Sequence, residues 1–136
     1  MKSIIVLEED AESREILSKM LRGRGFRVLP VEHETAARTA LDSTHPADLV
    51  LAGATYRERL FFLADLRKHR HSVPVIFLAD CGNARPRLSG LFSGFSLSRR
   101  LNCYMNTRPV DFFELDRLIR IVLNSRGGRT ANTCAA

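Results

Sequence analysis

The fold of this chain is decided by a short apolar stretch, Ala47-Asp48-Leu49-Val50-Leu51-Ala52-Gly53-Ala54. Asp48 to Leu51 predicts a short buried strand that is entered after a turn at Pro46, and Gly53 stands where that strand should end. In an open α/β sheet, binding and chemistry collect just beyond the carboxyl ends of the strands. This strand therefore brings to that edge a residue without a side chain.

The first apolar run of the chain brings a different group of residues to the same edge. Ser3 to Leu7 predicts a strand from its β-branched side chains, and Glu8, Glu9 and Asp10 follow it directly. Because parallel strands end at one edge of a sheet, we expect this acidic cluster to lie close to Gly53.

Strand and helix patterns alternate along the rest of the sequence. The apolar run from Val73 to Leu78 is nearly continuous, which favours a parallel strand that is buried on both faces. We therefore expect an α/β domain with a five-stranded parallel sheet over residues 1–124. Residues 125–136 lack periodicity and predict a disordered tail. The other predicted strands are Phe26–Val31 and Leu101–Asn106, and the predicted helices are Ala11–Arg24, Glu34–Ser43, Arg57–His69 and Val110–Asn124.

The charge of the chain is positive overall and unevenly distributed. The 136 residues carry a formal net charge of +6. Residues 1–48 hold seven Lys or Arg against nine Asp or Glu, whereas residues 49–136 hold fourteen against six. A basic half of this kind favours anionic partners, either an acidic protein or a nucleic acid.

Several classes of protein are not expected. No apolar run approaches the roughly 20 residues of a membrane helix, and the first residues lack the features of a signal peptide, so we expect a cytoplasmic protein without membrane contact. Cys81, Cys103 and Cys134 match neither a zinc pattern nor a disulfide framework and predict free thiols. No Ser/His/Asp or Cys/His arrangement is visible, so no conventional enzyme is expected.

Four blocks of sequence, taken in their order and spacing, point to a known family. Ile4 to Asp10 combines a strand with an acidic pair, Pro46 to Leu51 and Pro74 to Leu78 are strands, and Arg108-Pro109 precedes the last helix. In these blocks the chain resembles the receiver domains of two-component response regulators, over residues 2–124. The resemblance implies a flavodoxin-like, three-layer α/β sandwich.

The same resemblance gives each position a role. In receivers, an aspartate at the end of the third strand is phosphorylated, an acid pair holds Mg²⁺, and a Ser or Thr and a lysine contact the phosphoryl group. Glu8 and Glu9 match the acid pair, but Gly53 stands at the phospho-acceptor position and Ala79 at the Ser/Thr position. Arg108 keeps the charge of the lysine without its compact ammonium geometry. Phosphoryl transfer is therefore not expected, as in a degenerate (pseudo-) receiver.

The acidic cluster then needs a partner other than a phosphoryl group. No cofactor is expected, although Glu8 and Glu9 could still bind Mg²⁺ weakly. Arg108 is the simpler counter-ion. A fixed ion pair between Arg108 and the acids would permanently mimic one state of the receiver switch. The alternative is that the acids are only a solvated helix start. Other carboxylates are poor substitute acceptors, because Asp48 lies about 16 Å from the edge and Glu58 is predicted to begin a helix.

The last helix carries the candidate interface. Phe112 and Phe113 lie beside the basic residues Arg117 and Arg120, and an exposed aromatic beside arginines is a good interface anchor. The alternative is that the phenylalanines belong to the core. In receivers, the fourth helix, fifth strand and fifth helix form the usual dimer and partner surface, and the resemblance implies the same here. We therefore expect an acidic protein partner or a second copy of the chain, bound through the last strand and helix.

Together these observations predict a stand-alone pseudo-receiver of a bacterial two-component or phosphorelay-type system, acting by phosphorylation-independent protein–protein interaction. Two alternatives stay open. One is a phosphorylatable response regulator that uses an atypical acceptor carboxylate. The other is a basic nucleic-acid-binding module that uses the arginines of residues 81–110, although no recognition-helix motif is visible.

Overall fold

A computed structural model gives the architecture of the chain. It describes residues 1–44, 46–53, 56–69, 71–80, 102–108 and 110–135, without the side chains of 56–58, 79–80, 105–108 and 125–135. The strands are β1 (Ser3–Leu7), β2 (Arg27–Val31), β3 (Leu49–Gly53), β4 (Val75–Asp80) and β5 (Cys103–Arg108). The helices are α1 (Ala11–Gly23), α2 (Glu34–Leu41), α3 (Tyr56–Lys68) and α4 (Phe112–Ala135).

The five strands form one sheet in the order β2-β1-β3-β4-β5. Every pair of neighbouring strands is parallel. This is the strand order of doubly wound, flavodoxin-like sheets, in which the order reverses between β1 and β3 and ligands bind beside that point. The predicted fold class is confirmed.

The core consists of two apolar layers, one on each face of the sheet. Val50 and Ala52 of β3 pack in the layer that includes α2 and α3, whereas Leu49 and Leu51 pack in the layer that includes α1 and α4. This alternation follows from the two-residue period of a strand. Because helices cover both faces, β3 is buried at every position, as the sequence predicted, but it extends from Leu49 to Gly53 and not from Asp48 to Leu51.

Two strands begin and end two residues later than predicted, namely β4 and β5. Pro74 has no N–H to donate to a neighbouring strand, which explains why the ladder of β4 begins only after it. Ala79 therefore lies inside β4, where the sequence placed it after the strand. Arg108 is the last residue of β5 and does not stand beyond it.

The last helix is longer than predicted. α4 continues to Ala135, where the sequence predicted an end at Asn124 and a disordered tail over residues 125–136. Gly127 and Gly128 each cost about 1 kcal/mol relative to alanine, but a helix that is already nucleated gains a hydrogen bond with each added residue, and no proline follows Pro109. Despite the 24 residues of α4, no helix in the described part of the chain is long and apolar enough to cross a membrane.

The outer edge of β2 is poorly suited to pairing with a further strand. The Arg27 N–H donates to the Lys2 carbonyl at 2.9 Å, so the backbone groups of Val28 and Pro30 point away from the sheet. Pro30 has no N–H, and the Val28 carbonyl accepts a long hydrogen bond of 3.5 Å from Arg22 Nη2. Strand addition at this edge is therefore disfavoured.

Cys103 begins β5 and is fully buried as a free thiol. Burial disfavours the thiolate and raises the pKa of Cys103 from 9.0 to about 11, with an opposing effect from the Arg67 cation. The predicted free thiol is confirmed for this residue, while the side chains of Cys81 and Cys134 lie outside the described residues.

We expect the free energy of unfolding to fall more steeply above pH 9 in the wild-type protein than in a Cys103→Ala variant. The unfolded chain releases the thiol proton near pH 9 and the folded chain only near about pH 11, so the buried thiol favours the folded state below pH 9 and this contribution is lost as the pH rises towards 11. Urea unfolding at about pH 8 and about pH 10 should show an extra loss of about 1 kcal/mol in the wild type. Equal losses in the two proteins would contradict this account.

Candidate functional site

The carboxyl ends of β1 and β3 lie side by side. Leu7 pairs with Ala52 in the parallel register, so Glu8 and Gly53 occupy the next position on the two strands. Gly53 in turn pairs with Leu78 of β4. The acidic cluster and the glycine therefore meet at one edge of the sheet, as the sequence predicted.

Gly53 ends β3, is buried and contributes only backbone groups to this edge. Its carbonyl accepts a hydrogen bond from Arg59 Nε at 3.0 Å. Arg59 belongs to the first turns of α3 and is only 4% exposed. A guanidinium group thus lies directly at the end of the central strand.

Two carboxylates flank the Arg59 guanidinium. Nη1 donates to Glu34, the first residue of α2, at 2.8 Å, and Nη2 lies 3.9 Å from the carboxylate of Glu9. Among the described residues, Nη2 is buried without a hydrogen-bond partner. Because a buried cation is costly unless it is paired, these contacts explain how Arg59 is tolerated there.

The three acids that follow β1 have different surroundings. Glu8 is buried, at 6% exposure, and its carboxylate accepts from the Asp10 N–H at 3.3 Å. Asp10 is the N-cap of α1 and accepts from the Ser13 N–H at 2.8 Å, which is a stabilising helix cap. Glu9 is mostly exposed and faces Arg59. The interpretation as a helix start fits Asp10, whereas Glu8 is not solvated.

The structure places Ala79 and Arg108 by their backbone only. Ala79 pairs with Thr107 and Asp80 pairs with Arg108, at the carboxyl ends of β4 and β5. Their side chains lie outside the described residues, so an ion pair between Arg108 and the acids stays a prediction. Within the described residues, the basic partner of Glu9 is Arg59.

The substitute carboxylates of the sequence analysis are not brought to this edge. The Asp48 carboxylate accepts from the Ser3 N–H at 2.8 Å, which places it at the opposite, amino-terminal edge of the sheet. Glu58 lies in α3, and its side chain is outside the described residues. Among the side chains that are described, no group of three His, Cys, Asp or Glu residues could hold a metal ion.

The candidate interface on α4 is divided into exposed and engaged residues. Phe113 is 75% exposed and Phe112 is 36% exposed, so the interpretation of both as core is wrong. Arg117 is exposed as well. The guanidinium of Arg24, just after α1, lies 5.2 Å from the centre of the Phe113 ring, a distance at which a cation–π contact is favourable.

Arg120 connects α4 to the segment between α1 and β2. Its Nε donates to the Asp116 carboxylate at 3.1 Å, and its Nη2 donates to the Arg24 carbonyl at 3.1 Å. Its guanidinium also lies 5.0 Å from the ring centre of the buried Phe26. Arg120 therefore stabilises the packing of α4, while Phe113 and Arg117 remain available on the surface.

Arg59 and Glu34 were missed by the sequence analysis. A signal for Arg59 was present, because it lies on one helical stripe with Phe62, Leu63 and Leu66, which are all buried. This i, i+3, i+4, i+7 spacing predicts a core-facing position. A charged residue in such a stripe indicates a buried ion pair.

Comparison with known proteins supports the fold but gives no match by sequence. No protein-family model matches the chain, and no curated protein matches it. The receiver domain of a Francisella response regulator aligns with a TM-score of 0.72 and 18% identity, over 93% of this chain and 99% of that domain. The chain has the fold of a receiver domain.

Two further structures align with the same fold. The response regulator TrrA from Thermotoga maritima, in complex with Mg²⁺ and BeF, gives a TM-score of 0.67 and 22% identity, over 90% of this chain and 99% of that one. NtrX from Brucella abortus, in complex with ADP, aligns with a TM-score of 0.79 and 15% identity over 100% of this chain. The chain spans only 30% of the length of NtrX, and at these identities the likeness concerns the fold alone.

We expect an Arg59→Met variant to be less stable than the wild type by about 2 kcal/mol, because the Gly53 carbonyl loses its donor and Glu34 loses its cation. Methionine keeps an apolar stem of similar length, so the loss of stability should come mainly from the removal of the guanidinium group. Urea unfolding measures the change. The matched control is Arg117→Met, which removes an exposed arginine and should change stability by less than about 0.5 kcal/mol. Equal effects of the two variants would show that the Arg59 contacts contribute nothing.

Proposed function

We propose that the chain is a pseudo-receiver module of a two-component or phosphorelay-type signalling system, and that it acts by binding a protein partner without being phosphorylated. The observation that carries this proposal is Gly53. It stands at the carboxyl end of the central strand of a receiver fold and has no side chain to accept a phosphoryl group.

The surroundings of Gly53 support the same conclusion. A phospho-acceptor needs a nucleophilic side chain at the reacting position, whereas the only polar groups of Gly53 are those of its backbone. Its carbonyl is engaged by Arg59. The guanidinium is also paired with Glu34 and lies 3.9 Å from the Glu9 carboxylate, so carboxylates of the chain already engage the cation nearest to Gly53.

The partner surface that we propose is centred on Phe113. This ring is large, exposed and held against Arg24, and Arg117 is exposed one helical turn further along α4. Aromatic and arginine side chains are enriched among the residues that dominate binding energy. An acidic protein surface would suit these cations, and a second copy of the chain is the other candidate.

We expect no phosphate-sized gain in intact mass after the protein is incubated with Mg²⁺ and a small acyl-phosphate donor at neutral pH. A receiver domain that carries an acceptor aspartate serves as the positive control under the same conditions. A gain that disappears on substitution of a single carboxylate would refute the proposal, and that carboxylate would then be the atypical acceptor.

We expect a Phe113→Ala variant to lose most of its partner binding, by about 2 kcal/mol or roughly thirtyfold in affinity, because a central anchor is removed. The control is Phe61→Ala on α3, where an equally large ring is 84% exposed on the other side of the sheet. Affinity capture with quantitative mass spectrometry identifies the partner, and titration of the purified partner gives the affinity. Self-association is followed in parallel by sedimentation. If both variants bind as the wild type does, the α4 surface is not the interface.

A further inference from the structure

A cavity of about 500 Å³ lies at the amino-terminal edge of the sheet, at the opposite end from Gly53. Its floor is formed by the first halves of β1 and β2, including Ile5 and Leu29, and its wall by the end of α2 around Ala40. Pro46 closes it from the side of the segment that enters β3. We call this cavity the α2 groove.

The α2 groove exists because α2 is short. The eight residues of α2 span about 12 Å, whereas the five residues of β2 span about 16 Å, so the helix ends before it has covered the strand. Leu29 is consequently 47% exposed, although it lies on a strand of the sheet. The volume falls in the range of roughly 300–1,000 Å³ that is typical of small-molecule sites.

The polar groups of the α2 groove decide what kind of ligand fits. The hydroxyl of Thr39 donates to the Thr35 carbonyl at 3.0 Å, and the hydroxyl of Ser43 donates to the Ala40 carbonyl at 2.7 Å. With their protons engaged, both hydroxyls can offer only acceptor capacity. Arg27 remains as the charged donor of the lining, and in the described part of the chain it forms no ion pair.

We propose that the α2 groove binds a small monocarboxylate with an aromatic or aliphatic body, whose carboxylate pairs with Arg27 while its body covers Leu29 and Ala40. An apolar floor with one charged donor is the combination that small-molecule sites use for affinity and orientation. The guanidinium is suited to a carboxylate because its N–H groups match the two oxygens. This proposal goes beyond partner binding at α4 and does not depend on it.

The test uses phenylbutyrate as the probe and phenylbutanol as its uncharged analogue. The full chain is titrated with each probe and followed by two-dimensional amide NMR. The amide resonances of Leu29, Ala40 and Ser43 should shift and saturate at probe concentrations in the submillimolar to millimolar range. Arg27→Gln removes the cation and should weaken the affinity for phenylbutyrate by roughly threefold, which corresponds to the loss of an exposed ion pair. The affinity for phenylbutanol should not change. Arg117→Gln is the control for a general loss of positive charge.

A second variant tests the location of the site independently of charge. Ala40→Phe fills the α2 groove and should abolish the shifts with both probes, provided that its thermal unfolding midpoint shows a folded protein. If that variant does not fold, Arg27→Gln and the map of shifted amides decide the question. The proposal is overturned if no saturable shifts occur up to about ten millimolar, if they map outside the α2 groove, or if both ligands respond equally to Arg27→Gln. A phosphorylated wild type would overturn the pseudo-receiver proposal and leave this one untouched.

Discussion

The central strand β3 is covered by helices on both faces, and all five of its residues are buried. Water is therefore largely excluded from the end of the strand, where the Gly53 carbonyl still needs a hydrogen-bond donor. Arg59 supplies that donor from α3. A guanidinium buried in this position needs carboxylates nearby, because an unpaired buried charge is costly. Glu34 at the start of α2 and Glu9 after β1 lie beside it. One backbone requirement thus links four segments of the chain.

The three residues of the acidic cluster have different contacts within the protein. Each of the three acids has a separate task within the protein: Glu8 receives the Asp10 N–H, Asp10 caps α1, and Glu9 faces Arg59. Among the described side chains, no group of three His, Cys, Asp or Glu residues could hold a metal ion. The Arg59 guanidinium lies between Glu34 and Glu9, and Arg14 donates to the backbone carbonyls of Glu8 and Glu9.

The sequence was sufficient wherever a feature depends on local pattern. The strands around Ile5 and Val50 and the helix that buries Leu17 were predicted within two residues, because hydrophobic periodicity is a property of neighbouring residues. β4 and β5 were likewise predicted within two residues, and both of their limits lie later because pairing with a neighbouring strand fixes their register. Arg59 was missed for a related reason. Its stripe on α3 is visible in the sequence, but the Gly53 carbonyl that it binds becomes a target only after the sheet has formed.

The fold and the chemistry of the site also depend on different features of the chain. Parallel register alone sets Gly53 beside Glu8, and any chain with this topology brings the ends of β1 and β3 together, whatever residues stand there. Identities of 18–22% with response-regulator structures are therefore compatible with a match of the fold over at least 90% of this chain and with different residues at the site. What such a scaffold still offers is a rigid surface. Because Arg120 and Asp116 fix α4 on the segment after α1, the Phe113 ring is presented without a large loss of conformational freedom on binding. If the chain is a pseudo-receiver, as we propose, preorganised contact at α4 needs no chemical event at Gly53, and partner binding is then independent of phosphorylation.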